Sequence, residues 1–173
     1  MPPEKIMVAR VGRENQCYSP VTGARMVAGT IALNQDRSKV LMVSSQAHKD
    51  RWVLPKGGIE TDEVEDPSKS AVRETWEEAG VTGHIVKSLG VIEDVRPPKT
   101  WIGNDIIGAT RTWPPRSEFH FFELMVEKEE DVWPESSERK RKWAGFQEAR
   151  QELLNANRLE LIEALERSSI LRS

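Results

Sequence analysis

The sequence predicts an α/β fold, an α/β/α sandwich in which helices pack on a mixed central sheet. Two observations support this prediction and the expectation of a single domain. β-Branched apolar runs alternate along the chain with segments of helical periodicity, an order that favours helices layered on a sheet. The 173 residues suffice for one domain with its own core and are short for two. We expect a single domain over residues 1–173, with its core at about 22–168.

The first predicted elements are strands. RMVAGTIAL (25–33) and KVLMVSS (39–45) are β-branched apolar runs separated by the polar turn NQDRS, so they are expected to form a hairpin. WVLP (52–55) is a short strand that Pro55 ends.

The next element is the best-marked helix of the chain. Asp66 is placed to cap it, Pro67 occupies its first position, and Gly80 follows its last turn. At 100° per residue, Val72, Thr75, Trp76 and Ala79 share one face, and Glu74, Glu77 and Glu78 share the other. The first face is expected to anchor the helix.

The second half of the chain predicts two strands, a loop, a strand and two helices. The strands are HIVKSLGVIEDV (84–95) and EFHFFELMVE (118–127), and the second is apolar enough for a sheet interior. The loop, 96–115, is long enough for a binding loop or a lid, with disorder equally compatible. WAGF (143–146) predicts a strand, and 146–156 and 158–168 predict amphipathic helices.

Composition excludes several classes of protein. The single cysteine, Cys17, excludes an internal disulfide framework and indicates a reducing compartment, so we expect the cytoplasm and nucleus. No apolar run approaches the roughly 20 residues of a membrane span. A pI near 5.7 argues against a stable nucleic-acid partner. We expect a monomer.

Negative charge is concentrated around the predicted helix. From Gly57 to Gly80 the chain has eight acidic and two basic residues. Three glutamates on one helix face repel one another, and the common explanation for such a face is solvation. The alternative is a divalent cation. Magnesium takes oxygen ligands, and no histidine or cysteine accompanies the cluster to favour zinc.

The flanking residues favour the metal. PKGG (55–58) forms a predicted glycine turn between a strand and the acidic segment, where backbone atoms can approach a ligand closely. Gly57 or Gly58, Glu65 and the run RETWEEAGV (73–81) resemble the signature of the Nudix hydrolases. From Glu65 onward the spacing fits. The gap from Gly58 to Glu65 is one residue longer than in the signature, two if Gly57 is the match, and Thr75 replaces an aliphatic residue.

The resemblance extends over nearly the whole chain to the diphosphoinositol polyphosphate phosphohydrolases, which also cleave diadenosine polyphosphates. It is carried by SPVTGARMVAG, VSSQAHKDRWVLPKGG, RETWEEAG, EDVRPPK, PPRSEFHFFEL and ERKRKW. Within that family, the matching segments resemble the fungal branch. The resemblance implies a Nudix-type sandwich and magnesium-dependent hydrolysis of phosphoanhydride bonds, with water attacking phosphorus.

Roles for individual residues follow from the same resemblance. Glu74 and Glu78 would hold magnesium, or manganese in its place, together with a backbone carbonyl of Lys56 or Gly57. Glu77 is the leading candidate for general base, and it could exchange this role with Glu78. Arg73 would be structural, forming an ion pair with Glu77 four residues later.

An anionic substrate, such as an inositol pyrophosphate, a dinucleoside polyphosphate or polyphosphate, requires surrounding donors. The resemblance implies Arg10, Arg25, Ser44, Ser45, Arg51, Lys56, Gly57, Gly58, Arg116, Lys140 and Lys142. Each charged member could equally be a solvated surface charge. The basic run ERKRK (138–142) favours phosphate capture over a nuclear import signal.

Two other functions remain open. The chain could be a Nudix pyrophosphatase of inorganic polyphosphate or of capped RNA, because the helix does not discriminate among substrates. It could also be a module that binds a phosphorylated ligand without cleaving it, although the complete set of glutamates argues against this.

Overall fold

The computed structural model describes residues 6–10, 15–96 and 114–172, and within them a seven-stranded sheet carries three helices. Its main path runs β3–β2–β1–β6–β5, with β4 paired to β1 and β7 paired to β2. The strands are β1 (Arg25–Leu33), β2 (Val40–Ser44), β3 (Trp52–Val53), β4 (Lys56–Gly58), β5 (Val81–Asp94), β6 (Ser117–Glu129) and β7 (Arg141–Ala144).

The pairing pattern makes this sheet mixed. β1 runs parallel to β6 along its whole length, from Arg25 opposite Ser117 to Leu33 opposite Met125. β1 and β2 form the predicted antiparallel hairpin, and β5 and β6 also pair antiparallel. Because β6 lies between β1 and β5, its apolar sequence is buried as expected. The predicted fold class is confirmed.

Helix α1 (Pro67–Ala79) packs across the centre of the sheet. Its limits match the prediction: the Asp66 carboxylate accepts a hydrogen bond from the Ser68 amide at 3.2 Å, and Gly80 ends the helix with φ of 69°. The hydroxyls of Thr30 on β1 and Thr75 on α1 lie 2.7 Å apart in the buried interface. The anchoring role expected for Thr75 is therefore seen in the packing.

The two C-terminal helices cover the remainder of the core. They are α2 (Phe146–Asn155) and α3 (Leu159–Arg167). Successive strand side chains alternate between faces, so Val27 and Ile31 of β1 point away from Thr30 and hence from α1. They share one apolar core with Leu153 of α2 and Leu161 of α3. The result is a sandwich with α1 on one face of β1 and the two C-terminal helices on the other.

The structure differs from the sequence prediction at several strands, and β5 begins at Val81, three residues before the predicted strand. Residues 56–58, expected in a turn, form β4 against β1, with Lys56 opposite Gly29. A Cβ on Gly29 would lie 2.7 Å from the Pro55 carbonyl oxygen, so this close pairing depends on the glycine. β7 begins at Arg141, two residues before the predicted strand, because it pairs with β2 through Val43.

Residues 97–113 of the predicted 96–115 loop lie outside the described residues. Within the described ranges, no helix is both long and apolar enough to cross a membrane.

Candidate active site

The acidic face of α1 is buried. Glu77 is 3% exposed and Glu78 is 4% exposed, and Glu74 is largely covered. Because buried carboxylates need partners or a cation, the interpretation of this face as an ordinary solvated surface is wrong.

Arg73 is the main cationic partner of these carboxylates. Its Nη1 atom lies 2.8 Å from Glu74 Oε1 and 2.9 Å from Glu77 Oε2. Its Nη2 atom donates to the Gly58 carbonyl at 3.1 Å. Burial alone would lower the pKa of Arg73, but the hydrogen bond to Glu63 and the charges of Glu74, Glu63 and Glu77 outweigh burial and raise that pKa above its usual range. The predicted pair with Glu77 is present, within a larger network.

The loop glutamate that meets Arg73 is Glu63, whereas the signature match had used Glu65. Glu63 is buried and accepts from Arg73 Nε at 2.8 Å and from the Ser70 hydroxyl at 2.7 Å. Glu65 is exposed. The spacing from Gly57 to Glu63 is five residues, so the two extra residues lie between Glu63 and the helix. The sequence alone did not show where the two extra residues are inserted. Glu63 fits the spacing of the signature from Gly57, and Glu65 fits its spacing to Arg73.

Backbone atoms of β4 approach two of the helix carboxylates. The Lys56 amide donates to Glu78 Oε2 at 3.1 Å. A Cβ on Gly57 would lie 2.0 Å from the Glu74 carboxyl carbon, so only glycine permits this approach. Two carboxylates beside a glycine backbone form a hard, oxygen-rich donor set. The residues present therefore fit a divalent cation of the magnesium type.

The pKa values of these carboxyls reflect burial and mutual repulsion. Burial and then the charge of Glu78 raise the pKa of Glu74 to about 8. Burial raises the pKa of Glu78 to about 7, against the opposing charges of Arg139 and Lys56. Burial also raises the pKa of Glu77, although the Arg10 backbone amide opposes it. A bound cation would relieve this excess of negative charge.

We expect the metal-free protein to lose stability as the pH rises from about 5 to about 8. Glu74 and Glu78 have folded pKa values above the roughly 4.3 of an unfolded glutamate, so the folded state binds more protons in this window. The stability that these two carboxyls contribute is fully present below the pKa of an unfolded glutamate. It is lost as the pH rises through their folded pKa values. The measurement is the thermal unfolding midpoint in chelator at pH 5 and pH 8.

Matched conditions separate this effect from other titrations. Glu63 and Asp94, whose pKa values are lowered, act below pH 5. Lys56, whose pKa burial lowers to about 8, acts mainly above the window. Glu74→Gln should flatten the decline, and magnesium at pH 8 should raise the midpoint. A midpoint in chelator that rises between pH 5 and pH 8 would contradict the expectation.

A cleft of about 600 Å³ opens beside the carboxylates. Its walls come from residues 7–10 of the N-terminal segment, from β4, from α1 and from residues 134–139. Glu74 and Glu78 line it, whereas Glu77 is buried behind its wall. Arg10, Arg25, Lys56 and Arg139 bring positive charge to the same walls.

A smaller hollow of about 220 Å³ adjoins the cleft, since Arg25, Lys56 and Gly57 line both. Arg96 and Arg158 add two further guanidinium groups to it. Each has an acidic partner: Arg96 Nη2 lies 2.6 Å from Asp94, and Arg158 pairs with Glu160. Because four basic side chains line the hollow beside the carboxylate of Asp94, the hollow suits an anionic group.

Five predicted substrate residues line the cleft, namely Arg10, Arg25, Lys56, Gly57 and Gly58. The other six are placed elsewhere: Ser44, Ser45, Arg51, Arg116, Lys140 and Lys142. The Ser44 hydroxyl accepts from the Lys140 amide at 2.9 Å, and Ser45 and Arg51 join through a backbone hydrogen bond. The Arg116 carbonyl accepts from the Arg25 amide at 3.3 Å.

The basic run 138–142 contributes to the cleft through Arg139, which the sequence analysis had not selected. Arg139 Nη2 lies 3.2 Å from Glu78 Oε1, and its Nη1 donates to the Ser44 carbonyl at 2.8 Å. Lys142, in contrast, pairs with Glu148 and Glu152 on α2. Arg139 lies at the end of a turn before β7, where its amide donates to the Glu135 carbonyl at 2.9 Å, whereas Lys142 lies within β7. The choice between them depended on where this turn ends, which the sequence does not give.

A second acidic cluster lies near the base of the loop before α1. The carboxylates of Glu60, Asp62 and Glu63 have oxygens within 4.8 Å of one another. Arg10 contacts Glu60 and Asp62, and Arg73 contacts Glu63. Its charge is thus largely compensated by two arginines.

A mixed sheet carrying a helix with three largely covered carboxylates, beside a cleft with arginine and lysine in its lining, fits a phosphohydrolase whose carboxylates could hold a divalent metal. The family model described as NUDIX domain matches residues 23–165. The chain belongs to the Nudix hydrolase family and is a Nudix phosphohydrolase.

The relatives agree with this assignment, and a solved structure shares the fold. Nudix hydrolase 21, chloroplastic, of Arabidopsis thaliana is 35% identical over 170 residues, covering 94% of this chain and 77% of that protein. Human diphosphoinositol polyphosphate phosphohydrolase 3-alpha is 40% identical over 87 residues, covering 50% of this chain and 51% of that protein. The structure of a NUDIX hydrolase from Nitrosomonas europaea superposes with a TM-score of 0.62 at 14% identity, covering 83% and 87% of the two chains.

Proposed function

We propose that this Nudix enzyme hydrolyses phosphoanhydride bonds in diphosphoinositol polyphosphates and diadenosine polyphosphates with magnesium, for which manganese can substitute. The observation that carries the proposal is the pair Glu74 and Glu78 at the wall of a cleft that Arg10, Arg25, Lys56 and Arg139 also line, together with Glu135 and Glu138. A cation at the carboxylates and cations on the facing walls suit a compact chain of phosphates.

The glutamates of α1 have two roles in this proposal, cation binding and proton transfer. Glu74 and Glu78, with a carbonyl of Lys56 or Gly57, would hold the cation, which when bound stabilises charge on the phosphate oxygens. Glu77 accepts the proton of the attacking water, with Arg73 and the Arg10 amide holding its two oxygens. Glu78, which lines the cleft, is the alternative acceptor.

The basic lining supports a polyanionic substrate. Arg25 and Lys56 line both the cleft and the adjoining hollow, so two parts of one substrate can be held at once. Inositol pyrophosphates and dinucleoside polyphosphates carry several phosphate groups in one molecule, so the cleft and the hollow could each hold some of them. The similarity to the human diphosphoinositol polyphosphate phosphohydrolase is consistent with this class, over half of that protein's length.

Inorganic polyphosphate and capped RNA are the competing substrates, because they present the same phosphoanhydride bond. The cleft volume of about 600 Å³ supports a small-molecule substrate. The single cysteine of the chain supports a reducing compartment such as the cytoplasm or nucleus. We propose a monomer.

The test is parallel hydrolysis of a diphosphoinositol phosphate, diadenosine hexaphosphate, polyphosphate and capped RNA, with magnesium and then with chelator. We expect the first two to be cleaved fastest, and only with the cation. Glu77→Gln should lower kcat by at least about 100-fold while cation binding is retained, because the variant keeps the shape but not the basicity of the side chain. Exposed Glu65→Gln is the matched control.

Equal turnover of Glu77→Gln and wild type would exclude Glu77 as the base. Faster cleavage of polyphosphate or capped RNA would reassign the substrate. Ligand binding without hydrolysis in magnesium would support the non-catalytic alternative.

A further inference from the structure

Residues 6–10, which we name the N-terminal strap, cross the catalytic helix. Ile6 and Val8 expose 66% and 76% of their surface, so burial of apolar side chains does little to hold the strap in place. Polar contacts must therefore supply most of its attachment.

Two of those contacts are made to α1. The Trp76 indole Nε1 donates to the Ile6 carbonyl at 2.9 Å, and Trp76 itself is only 7% exposed. The Arg10 amide donates to Glu77 Oε1 at 2.8 Å. These contacts join the two ends of the strap to neighbouring residues of the helix, 76 and 77.

The third contact is made by the Arg10 side chain. Its Nη1 atom pairs with Glu60 and lies 3.2 Å from Asp62, in the acidic cluster before α1. The guanidinium therefore ties the end of the strap to the loop that precedes the helix. This is a fastening role, distinct from the phosphate contact expected for Arg10 from its sequence.

The strap also forms part of the cleft, since Met7, Val8, Ala9 and Arg10 line it. A displacement of the strap would thus remove one wall of the cleft and one hydrogen bond to Glu77 together. Both changes affect the reacting region without touching the main apolar core.

We propose that Trp76 is a positioning residue that anchors the N-terminal strap on α1, so that the Arg10 backbone amide orients the Glu77 carboxylate for hydrolysis. The inference rests on the proposed function for its catalytic part. Its structural part, the anchoring of residues 6–10 by Trp76, is independent of substrate.

The test uses Trp76→Phe, which keeps an aromatic ring and removes the indole N–H. Hydrogen–deuterium exchange of residues 6–10 should increase, and kcat should fall about tenfold, with a smaller rise in KM; tenfold corresponds to about 1.4 kcal/mol. Arg10→Ala loosens the same strap. The double variant should therefore lose little more kcat than Arg10→Ala alone.

Trp143→Phe is the matched control, because its indole donates to Glu129 at 3.3 Å outside the cleft. Combined with Arg10→Ala, its effect on kcat should simply multiply. Unchanged exchange in Trp76→Phe, or effects of Trp76→Phe and Arg10→Ala that multiply, would overturn the proposal. If wild type hydrolyses none of the substrates, increased exchange still supports the anchor, and it is the proposed function that fails.

Discussion

Glu78→Gln is expected to lower kcat/KM by about 1,000-fold and to weaken binding of the divalent cation, with the fold retained. Glu78 lines the cleft, accepts from the Lys56 amide and pairs with Arg139. Glutamine keeps the volume of the side chain but removes a charge that a hard cation requires. Loss of one such preorganised group typically costs about 100- to 1,000-fold.

The measurements are initial rates of phosphate release across a magnesium titration and calorimetric binding of manganese. Glu77→Gln provides the informative comparison, since it should lose kcat but retain the cation. If Glu78→Gln binds manganese as tightly as wild type, Glu78 is not a ligand. The assignment of the two glutamates would then be reversed.

Arg73→Ala is expected to lower the free energy of unfolding by about 3 kcal/mol or more. Arg73 contacts Glu63, Glu74 and Glu77 and is itself largely buried, so its removal leaves three buried carboxylates without their shared cation. Breaking a buried charge network from one side costs about 3–5 kcal/mol. The loss should be greater at pH 8 than at pH 5, because protonation relieves the carboxylates.

Urea unfolding at both pH values measures this effect. Arg73→Lys is the matched variant: it keeps the charge but not the planar fork that reaches several acceptors, so it should recover only part of the stability. Lys69→Ala, on the exposed side of the same helix, should change stability by less than about 0.5 kcal/mol. An Arg73→Ala variant as stable as Lys69→Ala would show that the network contributes nothing net.

Local chemistry made the helix and most strands predictable. Asp66, Pro67 and Gly80 specify the ends of α1 through capping, a fixed φ and a left-handed φ, which are effects of neighbouring residues only. The β1–β2 hairpin follows likewise from two apolar runs and a polar turn. β4 was not predictable, because its strand geometry arises from pairing with β1, remote in sequence.

The features of the candidate site were likewise predictable only in part. The spacing of Glu74, Glu77 and Glu78 is a property of one helix, so the sequence placed them on one face. Their burial depends on the strap, β4 and residue 135, whose amide donates to the Glu77 carbonyl at 3.0 Å. A helical projection contains none of these elements, and it therefore allowed a solvated face.

Sequence by itself determined the family, helix α1 and its candidate metal carboxylates, because each is encoded within a short continuous segment. It also predicted the α/β class, from the order of strands and helices along the chain. Only the tertiary structure decided that Glu63 meets Arg73, that Arg139 reaches Glu78 whereas Lys142 turns to α2, and that Trp76 holds the strap. Those partners lie far apart in the chain or depend on strand register, and distance in space between such residues is set by packing.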